Sequence, residues 1–177
     1  MIEIRKIKSE NRKAFKELYY KSFPESERKP YWLMKYWELQ GKMELFEISG
    51  NDGFCGLFIT VICKDLVLVD YLAVTPERRG KGIGSEVLRL AREMYRGKSI
   101  FLEIETTQKP CPDLENRLKR KSFYLKNGLI ASDFSVDLFG VEMEILCFDR
   151  KISFDEYMKL YKHMAGRLLK LKISLME

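Results

Sequence analysis

One histidine among 177 residues, and four cysteines that share no C-x-x-C spacing, leave little from which to build a metal centre or disulfide framework. Cys55, Cys63, Cys111 and Cys147 are scattered, so no metal is expected, and the expected compartment is the cytoplasm. No cysteine stands beside a histidine, which argues against a covalent thiol relay. Long hydrophobic runs are missing too. Nothing approaches the ~18 consecutive apolar residues of a membrane span, and the opening MIEIRKIKSENRK lacks the apolar centre of a signal peptide. Neither membrane nor secretory routing is expected. Repeats and linker-like stretches are also lacking. With 46% apolar and 12% aromatic residues, the chain reads as one packed domain rather than a disordered one.

Two phosphate signatures are absent as well. A Walker loop needs G-x-x-x-x-G-K-[ST], but Lys81 precedes the glycines it should follow. The dinucleotide fingerprint needs G-x-G-x-x-G, whereas Gly80, Gly82 and Gly84 alternate. What is present is a nearly continuous apolar run, Leu66 to Val74, too short for a helix and rich in valine, which reads as a strand buried on both faces. Thr75–Pro76 breaks it, and RRGKGIGS follows. From there Ile83, Val87, Leu88, Ala91, Met94 and Tyr95 fall on one helical face. A strand therefore feeds a glycine-rich turn that opens a helix, and the first N–H groups of that helix lie unpaired at its positive end. That is a phosphate cradle.

The spacing Arg79-Gly80-Lys81-Gly82-Ile83-Gly84 fits R-x-x-G-x-G and resembles the acyl-CoA motif of the GNAT superfamily of N-acyltransferases. The resemblance implies that the turn from Arg79 to Ser85 grips the CoA pyrophosphate. It also implies that the backbone of Leu72, Ala73 and Val74 pairs with the pantetheine arm like an added strand. A second stretch, Phe123-Tyr124-Leu125-Lys126-Asn127-Gly128-Leu129, resembles the family's [FL]-Y-x-x-x-G-[FL]. There the tyrosine serves as general acid for the departing thiolate, a role that implies Tyr124 here. A phenol, with a pKa near about 10, stays protonated at neutral pH and can donate to sulfur. Many relatives place a cofactor-contacting asparagine seven residues before that tyrosine, with an alanine between. Here Asn116 lies eight before it, and Lys119 stands where the small residue is expected.

An attacking amine must lose a proton, so a base is needed. Glu103 and Glu105 are two apart on the strand SIFLEIE, hence on one face, where they would repel and one could be raised. Leu102-Glu103-Ile104 resembles the L-E-V of GNAT enzymes that acetylate protein N-termini, which favours Glu103, with Glu105 second. Asp70, in an otherwise apolar strand, is a third candidate unless it merely lies near a sheet edge.

The remaining elements follow from periodicity. Strands are expected at Met1 to Ile7, Met43 to Ser49, Phe54 to Cys63, Ser99 to Glu105, Phe134 to Phe139 and Val141 to Phe148. Helices are expected over 10–22, from Tyr31 to Gln40, and from an Asp113 cap to Asn127. A last helix follows the Ser153 capping box and runs to about Leu171. Most of the rings Tyr31, Trp32, Tyr36 and Trp37 read as core, with one or two left to wall a groove. The expected class is α/β (α+β): a single GNAT-like domain over 1–150, its mixed, mostly antiparallel sheet flanked by helices. An added amphipathic helix over 151–177 packs on or extends it.

Charge is unevenly spread. Residues 76–98 carry seven Lys/Arg against three Asp/Glu, while 116–126 and 159–172 each carry five basic and no acidic side chains. Such runs are solvated helix faces or a field that draws a polyanion such as CoA. Nucleic acid is not expected, since aromatics do not interleave the basic runs. The resulting expectation is an acetyl-CoA-dependent N-acetyltransferase acting by direct attack on a primary amine of a small molecule, peptide or protein. The contrasting class is a degenerate CoA-binding sensor or interaction module. The acceptor is not readable, nor is strictness for acetyl, and a homodimer is left open.

Overall fold

Alternation, punctuation by glycine, and helical periodicity each act locally, and the computed structural model follows them closely. It describes residues 1–166 and 172–176. In chain order the elements are β1 (Glu3–Lys6), α1 (Arg12–Ser22), α2 (Tyr31–Leu39), β2 (Met43–Gly50), β3 (Gly53–Cys63), β4 (Leu66–Val74) and α3 (Ile83–Met94). There follow β5 (Ser99–Glu105), α4 (Leu114–Lys126), β6 (Leu129–Leu138), β7 (Val141–Phe148), α5 (Phe154–Ala165) and β8 (Ile173–Met176). The class is the expected α/β one of mostly antiparallel strands with flanking helices. No helix among the described residues is long and apolar enough to cross a membrane.

Two compact units share the chain. The first comprises Met1–Ile62 and Val69–Arg96. Its strands follow the order β1-β2-β3-β4, with β1 and β2 antiparallel through Ile4 opposite Ile48. The turn at Asn51 and Asp52 closes the β2–β3 hairpin with Gly50 opposite Gly53. Strand β3 runs close against β4: a Cβ at Gly56 would stand 2.3 Å from the Ala73 carbonyl oxygen, so only glycine fits there. Helix α1 buries Phe15, Leu18 and Tyr19, and Phe15 and Leu18 each contribute about 1.5–3 kcal/mol of hydrophobic stabilisation. Glu47 is fully buried on β2, and it accepts hydrogen bonds from Arg5 Nε (2.8 Å), the Lys8 N–H (3.0 Å) and Asn11 Nδ2 (3.0 Å). Burial alone would push its carboxyl up; those donors outweigh burial and hold it below the usual range.

The second unit comprises Cys63–Leu68 and Gly97–Glu177. Its strand order is β5-β7-β6-β8, antiparallel throughout. Phe139 and Gly140, both at positive φ, make the tight turn between β6 and β7. Helix α5 opens on the anticipated capping box: the Glu156 N–H donates to Ser153 Oγ (3.2 Å), and the Ser153 N–H donates to Glu156 Oε2 (2.9 Å).

Several expectations need correction. Trp32 is 71% exposed and Tyr36 is also exposed, so of the four rings on α2 only Trp37 is buried. Met94, assigned to the apolar face of α3, is exposed because the helix ends there. Strand β6 begins at Leu129, five residues earlier than its pattern suggests, because an irregularity between Ala131 and Ser135 disrupts the alternation. Asp113 precedes α4, but its side chain caps no backbone N–H. Helix α5 stops at Ala165 with Gly166 after it, and the expected continuation over 167–171 lies outside the described residues. Strand β8 was not anticipated.

Candidate active site

The anchor of the first unit is the passage from β4 into α3. After Val74 a short 3-10 turn at Pro76–Arg78 is pinned to the β2–β3 hairpin, Arg78 Nη1 donating to Asp52 Oδ2 at 2.8 Å. Gly80 and Gly82 then adopt φ of +72° and +76°, and a Cβ at either would meet nothing within 4 Å. Glycine is required there by the backbone, not by crowding, and the space above it is open. Gly82 is the residue before α3, and no side chain caps the helix. The N–H groups of Ile83, Gly84 and Ser85 therefore stand at the positive end of α3 without side-chain partners. Lys81 is exposed beside them. Arg79 turns back instead, its Nε donating to the Val74 carbonyl at 3.1 Å. Of the three strand residues implied for pantetheine, Leu72 and Val74 are half-buried, Ala73 is buried, and the Val74 oxygen is already engaged.

Asp70, on the same strand, has a buried side chain, 3% exposed. Its Oδ1 accepts from Lys29 Nζ at 2.7 Å, and its Oδ2 is buried without a partner among the described residues. Tyr71 and Tyr19 hold the segment that carries Lys29: the Lys29 N–H donates to Tyr19 Oη (2.8 Å), and Tyr71 Oη donates to the Glu27 carbonyl (2.6 Å).

In the second unit Glu103 and Glu105 do share a face of β5 and are both half-buried. They are not left to repel each other. Tyr157 Oη donates to Glu103 Oε1 at 2.6 Å, and Tyr161 Oη reaches both oxygens, at 2.7 and 2.9 Å. Glu105 is paired with Arg117 and, at 3.6 Å, with Arg120, both on α4. The two carboxylates thus sit in different chemistry, one beneath phenols and one against guanidinium groups. The tyrosines were missed by sequence reasoning. Their signal was present: Tyr157 and Tyr161 stand four apart in the helix opened by SFDE, so both project from one side.

Tyr124 is half-buried on α4, its ring edge-on to Phe123 with centroids 5.2 Å apart. Burial pushes its phenol above the ordinary value, against a smaller opposing pull from Arg120. Its hydroxyl has no hydrogen-bond partner among the described residues, so the proton is held and uncommitted. Asn116 is exposed and turns its amide onto Asp113 Oδ1 at 2.6 Å. Lys119 pairs with Glu115 at 2.6 Å.

The basic run on α4 is mostly neutralised within the unit. Arg117 and Arg120 meet Glu105, Lys119 meets Glu115, and Lys121 meets the buried Glu144. Only Lys126 of the five is without an ion pair among the described residues, and three carboxylates face the five cations, so this helix keeps only part of the positive field its sequence suggested.

A family model for the acetyltransferase (GNAT) domain matches residues 40–128, half of the chain. No curated protein matches the sequence. Among solved structures, a protein of the GNAT family from Bacteroides thetaiotaomicron superposes with a TM-score of 0.75 at 18% identity, covering 95% of this chain and 99% of that one. Spermidine N-acetyltransferase from Vibrio cholerae, solved with CoA and spermine, gives 0.62 at 14% identity over 83% of this chain and 94% of that one. The ribosomal-protein-S18-alanine N-acetyltransferase from Escherichia coli gives 0.57 at 14% identity over 96% and 99%. At such identities the likeness is one of fold.

Proposed function

The chain belongs to the GNAT acetyltransferase family, and from that premise we propose that it carries an acetyl group from acetyl-CoA to a primary amine by direct attack. The observation that carries the reading is the open turn at Gly80 and Gly82, whose positive φ values lead into an uncapped helix start. The N–H groups of Ile83 to Ser85 donate to the pyrophosphate oxygens, as helix starts do to anions, with Lys81 adding charge. In the acyl-transfer step the amine nitrogen bonds to the thioester carbon and the C–S bond breaks. Glu103 takes the amine proton, directly or through water, and Tyr124 gives its phenolic proton to the leaving thiolate. Tyr157 and Tyr161 hold the Glu103 carboxylate in place. No side chain forms a bond to the acyl group. The relatives named above act on spermidine and on a ribosomal protein, and the acceptor class assigned here is the primary amine they share.

One observation favours a second reading, a CoA-binding module without turnover. All three candidate bases are already engaged, Glu103 by two phenols, Glu105 by two arginines and Asp70 by Lys29. Thiol release from acetyl-CoA, measured across a panel of polyamines, amino acids and peptides, decides between them. Amine-dependent release with an N-acetylated product supports transfer. Tight CoA binding with no amine-dependent release from any panel member would leave the module.

A further inference from the structure

A cavity of about 450 Å³ opens in the first unit where the end of β1, the first turns of α1 and the outer face of α2 converge. Its charge is one-sided. Lys6 reaches it from β1, Arg12, Lys13 and Lys16 from α1, and Lys35 from α2, against one carboxylate, Glu38. That carboxylate is already taken by Lys35. The spacing explains the convergence: 12, 13 and 16 lie on one side of α1, and 31, 35 and 38 lie on one side of α2. Lys16 is not loose, since its Nζ sits 4.4 Å from the centre of the Tyr31 ring at the cavity wall. Lys6 is placed in the same way, 4.6 Å over Phe46, with Glu44 at 3.9 Å. Arg12 and Lys13 make no ion pair with any described residue.

Lys35 and Lys6 have carboxylate partners in Glu38 and Glu44, but Arg12, Lys13 and Lys16 have none among the described residues, and gathering them around one small void costs electrostatic free energy. An anion in the void would relieve it. The size suits a small molecule, and a fork-shaped guanidinium flanked by lysines suits phosphate or carboxylate oxygens. We propose that this cavity is a binding site for a small organic anion carrying two or more phosphate or carboxylate groups. It shares no residue with the 79–85 turn, so it is a second site beside the one assigned to the acyl donor. A polyamine would be repelled from it.

The test is calorimetry on the full chain with pyrophosphate and with citrate, the first probing phosphate and the second carboxylate. It is run on wild type, on Arg12→Gln/Lys13→Gln/Lys16→Gln, and on Gly82→Asp. The three cavity residues are exposed, and matching melting curves check that the triple variant folds. Binding of either anion should weaken by about tenfold or more in the triple variant, persist in Gly82→Asp, and fall as salt is raised. The tighter of the two anions names the group. No heat from either anion on wild type at millimolar concentration, or undiminished binding in the triple variant, would overturn the proposal. So would anion binding that disappears in Gly82→Asp alone, or, in a third titration with spermine, polycation binding that the cavity substitutions abolish. Each readout stands whether or not acyl transfer is observed.

Discussion

Replacing Glu103 by glutamine separates a reactive carboxylate from a structural one. The carboxylate accepts hydrogen bonds from Tyr157 and Tyr161, both fully buried. Bonds to a charged acceptor contribute about 1.5–3 kcal/mol each, and bonds to a neutral amide oxygen about 0.5–1.5 kcal/mol. Two phenols moved from one kind of acceptor to the other lose together about 2 kcal/mol. For a chain of this length that is a melting temperature lower by about 4–8 °C. A missing general base costs about 10²–10⁴-fold in rate. Thiol release with the best acceptor, read alongside a melting curve, should therefore show both losses. Tyr161→Phe keeps the carboxylate and removes one donor, so it should lose stability comparably but turnover far less. A Glu103→Gln protein that melts early yet turns over at the wild-type rate would refute the reasoning, leaving the carboxylate as an anchor for α5. Should Glu105→Gln abolish turnover instead, the strand face is right and the residue is wrong.

Gly82→Asp places a side chain at φ +76° and a negative charge where the donor's pyrophosphate is to bind, so calorimetry should register loss of CoA binding by the folded variant. Tyr124→Phe should lower kcat by about 10²–10⁴-fold while the CoA Kd holds within about threefold. Because burial raises this phenol, the acid form persists through neutral pH. Activity should decline only as pH rises past the ordinary phenol range, and that alkaline limb should vanish in the variant. Glu156 has its carboxyl lowered to about 2, first by Arg150 and then by the Ser153 N–H. A lowered carboxyl stabilises the fold above its unfolded value of 4.5 and loses that contribution as pH falls toward about 2. Melting temperatures taken across that window should drop more steeply for wild type than for Glu156→Gln, and parallel curves would dismiss the cap as a source of acid lability.

What could be read in advance was local. The run from Leu66 through Val74, the two positive-φ glycines and the periodic face of α3 are written in consecutive residues, and each needs only its neighbours to form. The capping box at Ser153 is local in the same way. What escaped was set by partners far along the chain. Glu103 and Tyr161 are 58 residues apart, and Asp70 and Lys29 are 41. No periodicity encodes such meetings. The basic run on α4 illustrates the difference: its charges are plain in sequence, but their neutralisation by Glu105 and Glu144 depends on strands packed beside it. Aromatic content misled on α2, where Trp32 is exposed, because hydrophobicity alone does not say which side of a helix is covered. Strand β8, only four residues long, takes its register from β6 and carries no strong pattern of its own.

The helix that covers Glu103 lies downstream of the span by which the family is matched, so it is made after that span. Residues 40–128, the span that the GNAT family model matches, leave the ribosome well before Tyr157 and Tyr161. During that interval the carboxylate on β5 exists without either phenol. A polypeptide truncated near residue 150 would carry every motif by which its family is known and yet lack both hydroxyls that bind Glu103. Under the proposed chemistry the carboxylate gains its two holding donors only once α5 has been made. Appending α5 as a separate peptide to such a truncated chain would then restore what the motifs by themselves do not supply.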